Sequence, residues 1–352
     1  MAQTTRDPTI EPEDEGPAPD DRDSVFEVRS RLNPSSTPQL TQESAHQELI
    51  PSLASITSSV LAYHEENGRR YHALSRGKYV LPNDTVENDR LDLQHEIMFR
   101  TLGGELALSP KGKEAANRVL DLGTGTGIWA MDYADLHPQS EVIGVDLSPI
   151  QPTFVPANCS FEVDDLEKEW TWSKPFDFIF CRMPIGSFIS FPDIIKKSYD
   201  QLEPGGYFEV HDLGMPIHCD DGTLLPDSNL SKWCDVIFEA AEKAGRPVWP
   251  AHKYASYLRE AGFEEVVERE FKWPMNSWPK EPEYKELGAW VLTNFNEVLE
   301  GLTLAHCTRA LGWSKEEALV FCAKVRADMK NTRIHSYWTI YVVYGKKPVH
   351  QI

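Results

Sequence analysis

Hydrophobic positions along the central part of the chain change repeatedly between strand-like and helix-like spacing. Short apolar runs at Val119–Leu122 and Glu141–Asp146 flank a segment with helical spacing, Ile128–His137, which Pro138 ends. The continuous apolar run Phe176–Cys181 is typical of a strand that is buried on both faces of a parallel sheet. This alternation predicts an α/β fold, Rossmann-like, with a mostly parallel sheet and helices on both faces.

The pattern predicts seven strands in all, and a helical insertion lies before the last of them. The strands cover residues 119–122, 141–146, 159–163, 176–181, 207–211, 265–273 and 335–345. The insertion covers about 280–332, and within it Ser314 stands three residues before Glu317, which is the spacing of a capping box. The last strand is long and rich in aromatic and β-branched residues, which favour extended backbone.

The first 110 residues have a different character. Residues 1–45 are rich in Asp, Glu, Pro, Ser and Thr, and we predict a disordered acidic tail because they contain too little apolar surface to fold. Residues 46–110 are predicted to form a helical cap: one amphipathic helix from Ser52, and a second that Asn83 or Asp84 caps and that ends at Gly103. These helices either cover a ligand site in the domain of residues 111–348 or cover an edge of its sheet.

Composition excludes several classes of protein. The 352 residues carry a net charge of −20, which argues against direct binding to nucleic acid or to an anionic membrane. The six cysteines are scattered without a C-x-x-C pair, so neither a zinc site nor a disulfide framework is predicted. The acidic start differs from a signal peptide, and no apolar run approaches the roughly 20 residues of a membrane span. We expect an intracellular protein, cytoplasmic or nuclear.

The strongest candidate site is the glycine-rich loop between the first strand and the first helix of this domain, Asp121-Leu122-Gly123-Thr124-Gly125-Thr126-Gly127. Its backbone N–H groups converge at a helix N-terminus, where the dipole favours an anionic or carboxylate group. The second strand ends in Asp146, at the separation that a ribose-binding acid needs. Ile128 stands where the dinucleotide pattern G-x-G-x-x-G needs its last glycine, so a dinucleotide is disfavoured. A glycine turn without any ligand is the alternative.

An acid, one spacer and three alternating glycines resemble the first motif of class I S-adenosylmethionine-dependent methyltransferases. Four further runs are similar to the LaeA-type methyltransferases of filamentous fungi: Asn83–His95, Val145–Pro152, Asp164–Trp172 and Tyr341–Gly345. The resemblance extends over roughly residues 63–347. It implies a seven-stranded class I fold whose last strand is antiparallel, and S-adenosylmethionine as the cofactor.

The resemblance also implies roles for individual residues. Those expected around the cofactor's methionine part are Asp121, Gly123, Gly125 and Gly127. Asp146 would bind the ribose hydroxyls, and Asp165 with Leu166 would lie beside the adenine, with Asp164 as the alternative to Asp165. Cys181 and Arg182 would lie beside the sulfonium end of the cofactor. The run Met183–Ile185 departs from the more polar or small residues of the family, so the acceptor pocket is expected to be individual.

Methyl transfer from a sulfonium depends mainly on proximity and orientation, and a general base is needed only if the acceptor holds a proton. His211, at the end of the predicted fifth strand, is the best-placed candidate base, with Asp212 and His218 nearby. Aromatic residues and one histidine of the insertion either line an acceptor pocket or belong to the core: Trp290, Phe295, His306 and Trp313.

Three functions are compatible with these observations. The first is a methyltransferase that acts on a small-molecule intermediate of fungal secondary metabolism. The second is a LaeA-like nuclear regulator that acts through a velvet-type protein partner or by protein methylation, which the acidic N-terminal residues fit slightly better. The third is a cofactor-dependent binding scaffold. Each of the three requires an intact S-adenosylmethionine site.

Overall fold

The computed structural model describes residues 4–13, 64–66, 68–71, 78 and 81–349. The strands among them are β1 (Thr4–Arg6), β2 (His64–Glu66), β3 (Arg69–Tyr71), β4 (Arg118–Leu122), β5 (Glu141–Asp146), β6 (Cys159–Val163), β7 (Phe176–Arg182), β8 (Leu202–Cys219), β9 (Glu264–Pro274) and β10 (Ser336–Lys346). The α-helices are α1 (Thr85–Thr101), α2 (Ile128–Leu136), α3 (Phe191–Gln201), α4 (Asn229–Lys243), α5 (Tyr254–Ala261), α6 (Pro282–His306) and α7 (Lys315–Lys330).

One eight-stranded sheet organises the described residues, in the order β1-β9-β10-β8-β7-β4-β5-β6. Strands β4 to β8 run parallel to their neighbours among themselves, and β10 lies antiparallel between β8 and β9. Strands β4 to β10 are the seven predicted from the sequence, so the predicted fold is confirmed. Because the parallel strands end at the same edge, the loops after β4, β5, β6 and β7 meet there.

The eighth strand corrects the prediction for the acidic tail. Residues 4–13 are ordered against the sheet: β1 pairs in parallel with β9, the backbone N–H of Lys272 donates to Asp7 Oδ2 at 2.9 Å, and Ile10 is buried. Pairing with an edge strand uses backbone groups and needs little apolar sequence, which is why composition did not predict it. The prediction of disorder is wrong for residues 4–13, and residues 14–45 lie outside the described residues.

The described residues of the predicted helical cap, 46–110, include helix α1 and also a two-stranded antiparallel sheet, β2-β3, which the prediction did not contain. Asp84, not Asn83, caps α1, because the Asp84 side chain accepts a hydrogen bond from the backbone N–H of Glu87. Thr126 of the glycine loop donates to Asp92 Oδ1 at 2.7 Å, so α1 covers that loop rather than a sheet edge. The other predicted helix of the cap, from Ser52, lies outside the described residues.

Helix α2 is held on the sheet by aromatic packing directly after the glycine loop. The Trp129 ring stacks on Phe180 of β7 with 3.8 Å between centroids, and its indole N–H donates to the carbonyl of Leu106 at 2.9 Å. Burying these large rings stabilises the helix on the sheet. The loop before α2 therefore has a fixed position above the ends of β4 and β5.

The predicted insertion is helical, as expected, and it consists of α6, a short π-helical turn at Cys307–Leu311, and α7. Phe295 of α6 stacks on Trp338 of β10 with 5.0 Å between ring centroids. Trp233 of α4 joins the same buried cluster. These three elements form an apolar wall beside the carboxyl ends of the parallel strands. Among the described residues, no helix combines the length and the apolar character needed to cross a membrane.

Candidate active site

A cavity of about 230 Å³ opens at the carboxyl ends of the parallel strands, between the glycine loop, α1, α4 and α6. Eight of the ten predicted site residues line it: Asp121, Gly123, Gly125, Asp146, Asp165, Leu166, Cys181 and Arg182. Gly127 and His211 do not. The fold therefore brings residues from β4, β5, β7 and the loop after β6 into one site.

The three glycines of the loop adopt left-handed backbone conformations, with φ of +71° at Gly123, +58° at Gly125 and +82° at Gly127. Such values favour glycine because a Cβ strains the backbone there. Gly127 has a second reason, since a Cβ at this position would lie 2.4 Å from the ring of Phe161. Gly127 thus lets the loop close over the sheet, while Gly123 and Gly125 face the cavity.

Asp146 is oriented by the backbone of two loops. Its Oδ2 accepts from the N–H of Gly125 and its Oδ1 from the N–H of Ser148, both at 2.9 Å. Removal from water raises the pKa of this carboxyl to about 6, although both backbone hydrogen bonds favour the charged form. Each carboxylate oxygen keeps a further lone pair, so Asp146 can still accept bonds from two neighbouring hydroxyls.

Asp121 is a buried carboxylate at the end of β4, with 3% of its surface exposed. The Thr124 hydroxyl donates to its Oδ2 at 2.5 Å. Burial raises the pKa of Asp121 to about 6, and the Asp146 charge raises it further, while Thr124 and the Arg182 charge act in the opposite direction. An acid that is costly to ionise here would be stabilised in its charged form by a bound ammonium group.

Arg182, at the end of β7, joins three elements through a histidine. Its Nη1 donates to His95 Nδ1 of α1 at 3.0 Å, and His95 Nε2 lies 2.9 Å from Asp132 Oδ2 of α2. Because a guanidinium can only donate, Nδ1 of His95 accepts and Nε2 carries the proton towards Asp132. Burial lowers the pKa of Arg182 to about 10, against the opposing charge of Asp121. The chain of contacts fixes α1 over the cavity.

The acids after β6 differ in burial. Asp165 is 3% exposed, whereas its neighbour Asp164 is exposed and accepts from the Asp165 backbone N–H at 2.7 Å. Lys78 Nζ lies 2.5 Å from Asp165 Oδ2 and 2.9 Å from Glu167 Oε2, and Lys78 also lines the cavity. Both Asp164 and Asp165 line the cavity, so the choice between them stays a prediction. The ion pairs of Lys78 with Asp165 and Glu167 were not predicted, because no motif around Lys78 in the sequence indicates them.

The structure contradicts the predicted role of His211 as a base. Its side chain has no exposed surface, and its Nε2 lies 2.6 Å from Glu209 Oε1. Glu209 also accepts from the backbone N–H groups of Leu108 and Ser109, so the pair holds the segment after α1 against the sheet. The prediction is wrong because β8 continues to Cys219, which places His211 inside a strand instead of at its end.

The acids and bases near His211 are not in the cavity either. Asp212 is fully buried, accepts from the Tyr254 hydroxyl at 2.6 Å, and has a pKa that burial raises to about 7. His218 lies near the far end of β8, beside the ring of Tyr337. Both belong to the packing of β8.

The part of the cavity away from the glycine loop is apolar and aromatic. Its wall residues are Trp233, Ile237, Phe295, Val298, Leu302 and Trp338. Of the four candidates from the insertion, Phe295 and His306 line the cavity, whereas Trp290 is buried in the core and Trp313 packs on Phe321. We call this part the acceptor compartment.

If Asp121 and Asp146 bind the cofactor in their charged forms, as predicted from the sequence, the affinity for S-adenosylhomocysteine is expected to fall as the pH is lowered through about 6, because burial raises both pKa values. Below its pKa, each carboxyl that must lose a proton when the ligand binds lowers the affinity by about tenfold per pH unit. Calorimetric titration between pH 5 and 7.5 measures the slope. Asp121→Asn should remove about one of the two proton-linked steps, and a flat profile for the wild type would contradict the assignment.

Comparison with known proteins gives consistent matches. Residues 94–268 match the family described as "Methyltransferase domain". The chain is 39% identical over 325 residues to "Methyltransferase pytC" of Aspergillus terreus, covering 91% of this chain and 99% of that protein. It is 38% identical over 289 residues to "Secondary metabolism regulator LAE1" of Cochliobolus heterostrophus, covering 80% and 94%. It is 36% identical over 292 residues to "Secondary metabolism regulator laeA" of Monascus pilosus, covering 81% and 78%.

Proposed function

The chain belongs to the LaeA-type family of S-adenosylmethionine-dependent methyltransferases of fungi, and we propose that its acceptor is a small-molecule intermediate of secondary metabolism. One observation carries the proposal. The cavity extends from the glycine loop into a compartment with aromatic walls that α4, α6 and β10 supply. An apolar cavity with few polar groups is typical of a site for a small organic molecule.

The residues of the cavity fit the cofactor. Asp121 is the partner we assign to its ammonium, and Asp146 the partner of its ribose hydroxyls. Asp165 and Leu166 are assigned to the adenine. Gly123 and Gly125 supply a backbone surface without side chains, on which the methionine part would lie. Cys181 and Arg182 line the region between this surface and the acceptor compartment in our assignment.

The bound cofactor supplies an electrophilic methyl group on a sulfonium. The protein then has to orient the acceptor atom in line with that group and exclude water. The apolar walls of the acceptor compartment, which include Phe295 and Trp338, serve both needs. An acceptor without a proton at the reacting atom needs no base.

For a hydroxyl acceptor, we propose His306 as the base. It lines the cavity, and its Nδ1 donates to the carbonyl of Leu302 at 2.9 Å, which leaves the lone pair on Nε2. Burial lowers the pKa of His306, so the imidazole is neutral near pH 7. His306→Gln is then expected to lower kcat by about 100-fold while the affinity for S-adenosylhomocysteine is unchanged. Steady-state kinetics with a hydroxyl acceptor test this, and an unchanged kcat would eliminate His306.

The proposed function is tested by incubating the protein with methyl-labelled S-adenosylmethionine and a fungal cell extract, followed by separation into protein and small-molecule fractions. We expect label in the small-molecule fraction. Label only in the protein fraction would contradict the proposal and favour the regulator. Gly125→Arg serves as the inactive control, because its side chain would occupy the cofactor part of the cavity.

We also propose an intracellular location, in the cytoplasm or the nucleus. All six cysteines of the chain are free thiols, and five of them are buried. This is the usual state in a reducing compartment. Labelling of the thiols in a native extract, with and without a reductant, tests the proposal: an equal extent of labelling supports it.

A further inference from the structure

Asn83 has a side chain that the fold leaves without a partner. It is 3% exposed and lines the cavity, and neither its Oδ1 nor its Nδ2 has a hydrogen-bond partner among the described residues. Its backbone is fixed, since its N–H donates to the carbonyl of Arg70 at 2.7 Å and its carbonyl accepts from Arg70 Nη2 at 2.9 Å. A buried amide without partners is unfavourable, so a ligand that satisfies it gains affinity.

Capping of α1 does not explain this residue. The cap is Asp84, which accepts from the Glu87 backbone N–H at 3.1 Å and forms an ion pair with Arg69. Pro82 packs near Gly301 of α6, the helix that supplies Phe295 and Val298 to the acceptor compartment, so we place Asn83 on that side of the cavity. The side chain of Asn83 is therefore available for a ligand.

Further polar side chains line the cavity. Arg90 and Gln94 lie four residues apart on one side of α1, and Asn83 directly precedes the Asp84 cap of that helix. Arg90 Nη1 donates to Asn294 Oδ1 of α6 at 2.8 Å. We call Asn83, Arg90, Gln94 and Asn294 the polar corner. It links α1 to α6 at the edge of the acceptor compartment.

The polar corner is poorly suited to an anion. Glu87 Oε1 accepts from both Nε and Nη2 of Arg90, at 3.0 and 2.7 Å, and both residues are buried. The Glu87 carboxylate balances the guanidinium charge of Arg90, so Arg90 offers little net positive charge to an additional carboxylate or phosphate on the ligand. A neutral polar group is the better match.

A primary amide offers a donor and an acceptor side by side, which selects a ligand group with the complementary pair. We propose that the polar corner binds a neutral amide of the acceptor, a lactam or carboxamide, whose carbonyl accepts from Asn83 Nδ2 and whose N–H donates to Asn83 Oδ1. The aromatic wall of Phe295 and Trp338 would hold the attached ring. This inference rests on the proposed function, because it defines the substrate class of the same site.

Three small probes test the proposal, each titrated in the presence of saturating S-adenosylhomocysteine and followed by ligand-observed NMR. Oxindole carries the paired carbonyl and N–H, N-methyloxindole lacks the donor, and indane lacks both groups. We expect oxindole to bind the wild type about tenfold more tightly than N-methyloxindole, with indane weakest. Equal affinities of oxindole and N-methyloxindole for the wild type would overturn the proposal without any variant.

Asn83→Leu is expected to abolish the preference for oxindole. It replaces an unpartnered amide with an apolar group of similar size, so its melting temperature should be no lower than that of the wild type. A clearly lower melting temperature would assign Asn83 to the fold and overturn the proposal. Asn88→Leu is the matched control, because Asn88, in the first turns of α1 close to Asn83 in the chain, has a buried, unpartnered Oδ1 but does not line the cavity. This control should keep the preference.

Binding of S-adenosylhomocysteine separates the two levels of the argument. Asn83→Leu should bind it as tightly as the wild type, because we place Asn83 in the acceptor compartment. If the wild type itself does not bind S-adenosylhomocysteine, the proposed function fails. If it binds the cofactor product but does not distinguish the probes, the amide assignment alone fails.

Discussion

Gly125→Arg is expected to abolish binding of S-adenosylhomocysteine, with a loss of at least about 100-fold in affinity. Gly125 has a φ of +58°, where any side chain strains the backbone. A Cβ at this position would contact Leu91 Cδ1 at 3.5 Å, and both residues line the cavity, so the longer arginine side chain would occupy space within it. The added cation would also lie close to the place we assign to the cofactor's ammonium.

Isothermal titration calorimetry of the wild type and the variant measures this loss directly. Gly222→Arg is the matched control, because Gly222 has a φ of +78° but an added Cβ there meets nothing within 4 Å and the residue does not line the cavity. It carries the same kind of backbone strain without filling the site, and it should bind normally. Equal binding by the wild type and Gly125→Arg would contradict the site assignment.

The glycine loop and the sheet could be predicted from sequence because their signals are local. Alternating glycines require unusual backbone angles, and a buried strand such as β7 requires a continuous apolar run. Asp146 followed from the end of a strand whose limits the apolar pattern defined. In each case a few neighbouring residues determine the position of the side chain.

The predictions that were wrong depend on contacts between distant segments. The length of β8 is determined by its pairing with β10, whose Ser336 lies opposite Cys219, and no local pattern within β8 indicates this. His211 was therefore predicted to end the strand, whereas β8 ends eight residues later, at Cys219. Strand β1 depends on the unpaired edge of β9 in the same way. Sequence pattern alone could not reveal either contact.

The polar corner shows an intermediate case. The sequence places Asn83 at the start of α1, where Asn83 and Asp84 were both candidate caps, so it gives no sign that the Asn83 side chain is left for a ligand. Only the observation that Asp84 performs the capping leaves Asn83 for a ligand. Lys78, which reaches the buried Asp165, had no signal at all in the sequence.

Asp146→Ala is expected to weaken S-adenosylhomocysteine binding by about 100-fold, because a carboxylate that accepts from two ribose hydroxyls forms two charge-assisted hydrogen bonds. The substitution also frees the N–H groups of Gly125 and Ser148 and so loosens the glycine loop. The affinity of Asp146→Asn should lie between those of the wild type and Asp146→Ala, since its amide retains one accepting oxygen and the shape of the side chain. Calorimetry at pH 7.5 measures all three proteins.

Stability of the ligand-free protein provides the control for this experiment. The folded-state pKa of Asp146 is raised to about 6, above the ordinary value for an aspartate, so the folded protein binds more protons than the unfolded chain between about pH 4 and 6. The carboxylate therefore makes folding less favourable as the pH rises through this range, and Asp146→Asn should melt no lower than the wild type at pH 7.5. Asp200→Ala, at an exposed position of α3, should change neither the affinity for S-adenosylhomocysteine nor the melting temperature. If Asp146→Asn binds like the wild type, the ribose assignment fails; if it loses binding only because it unfolds, the melting curve reveals this.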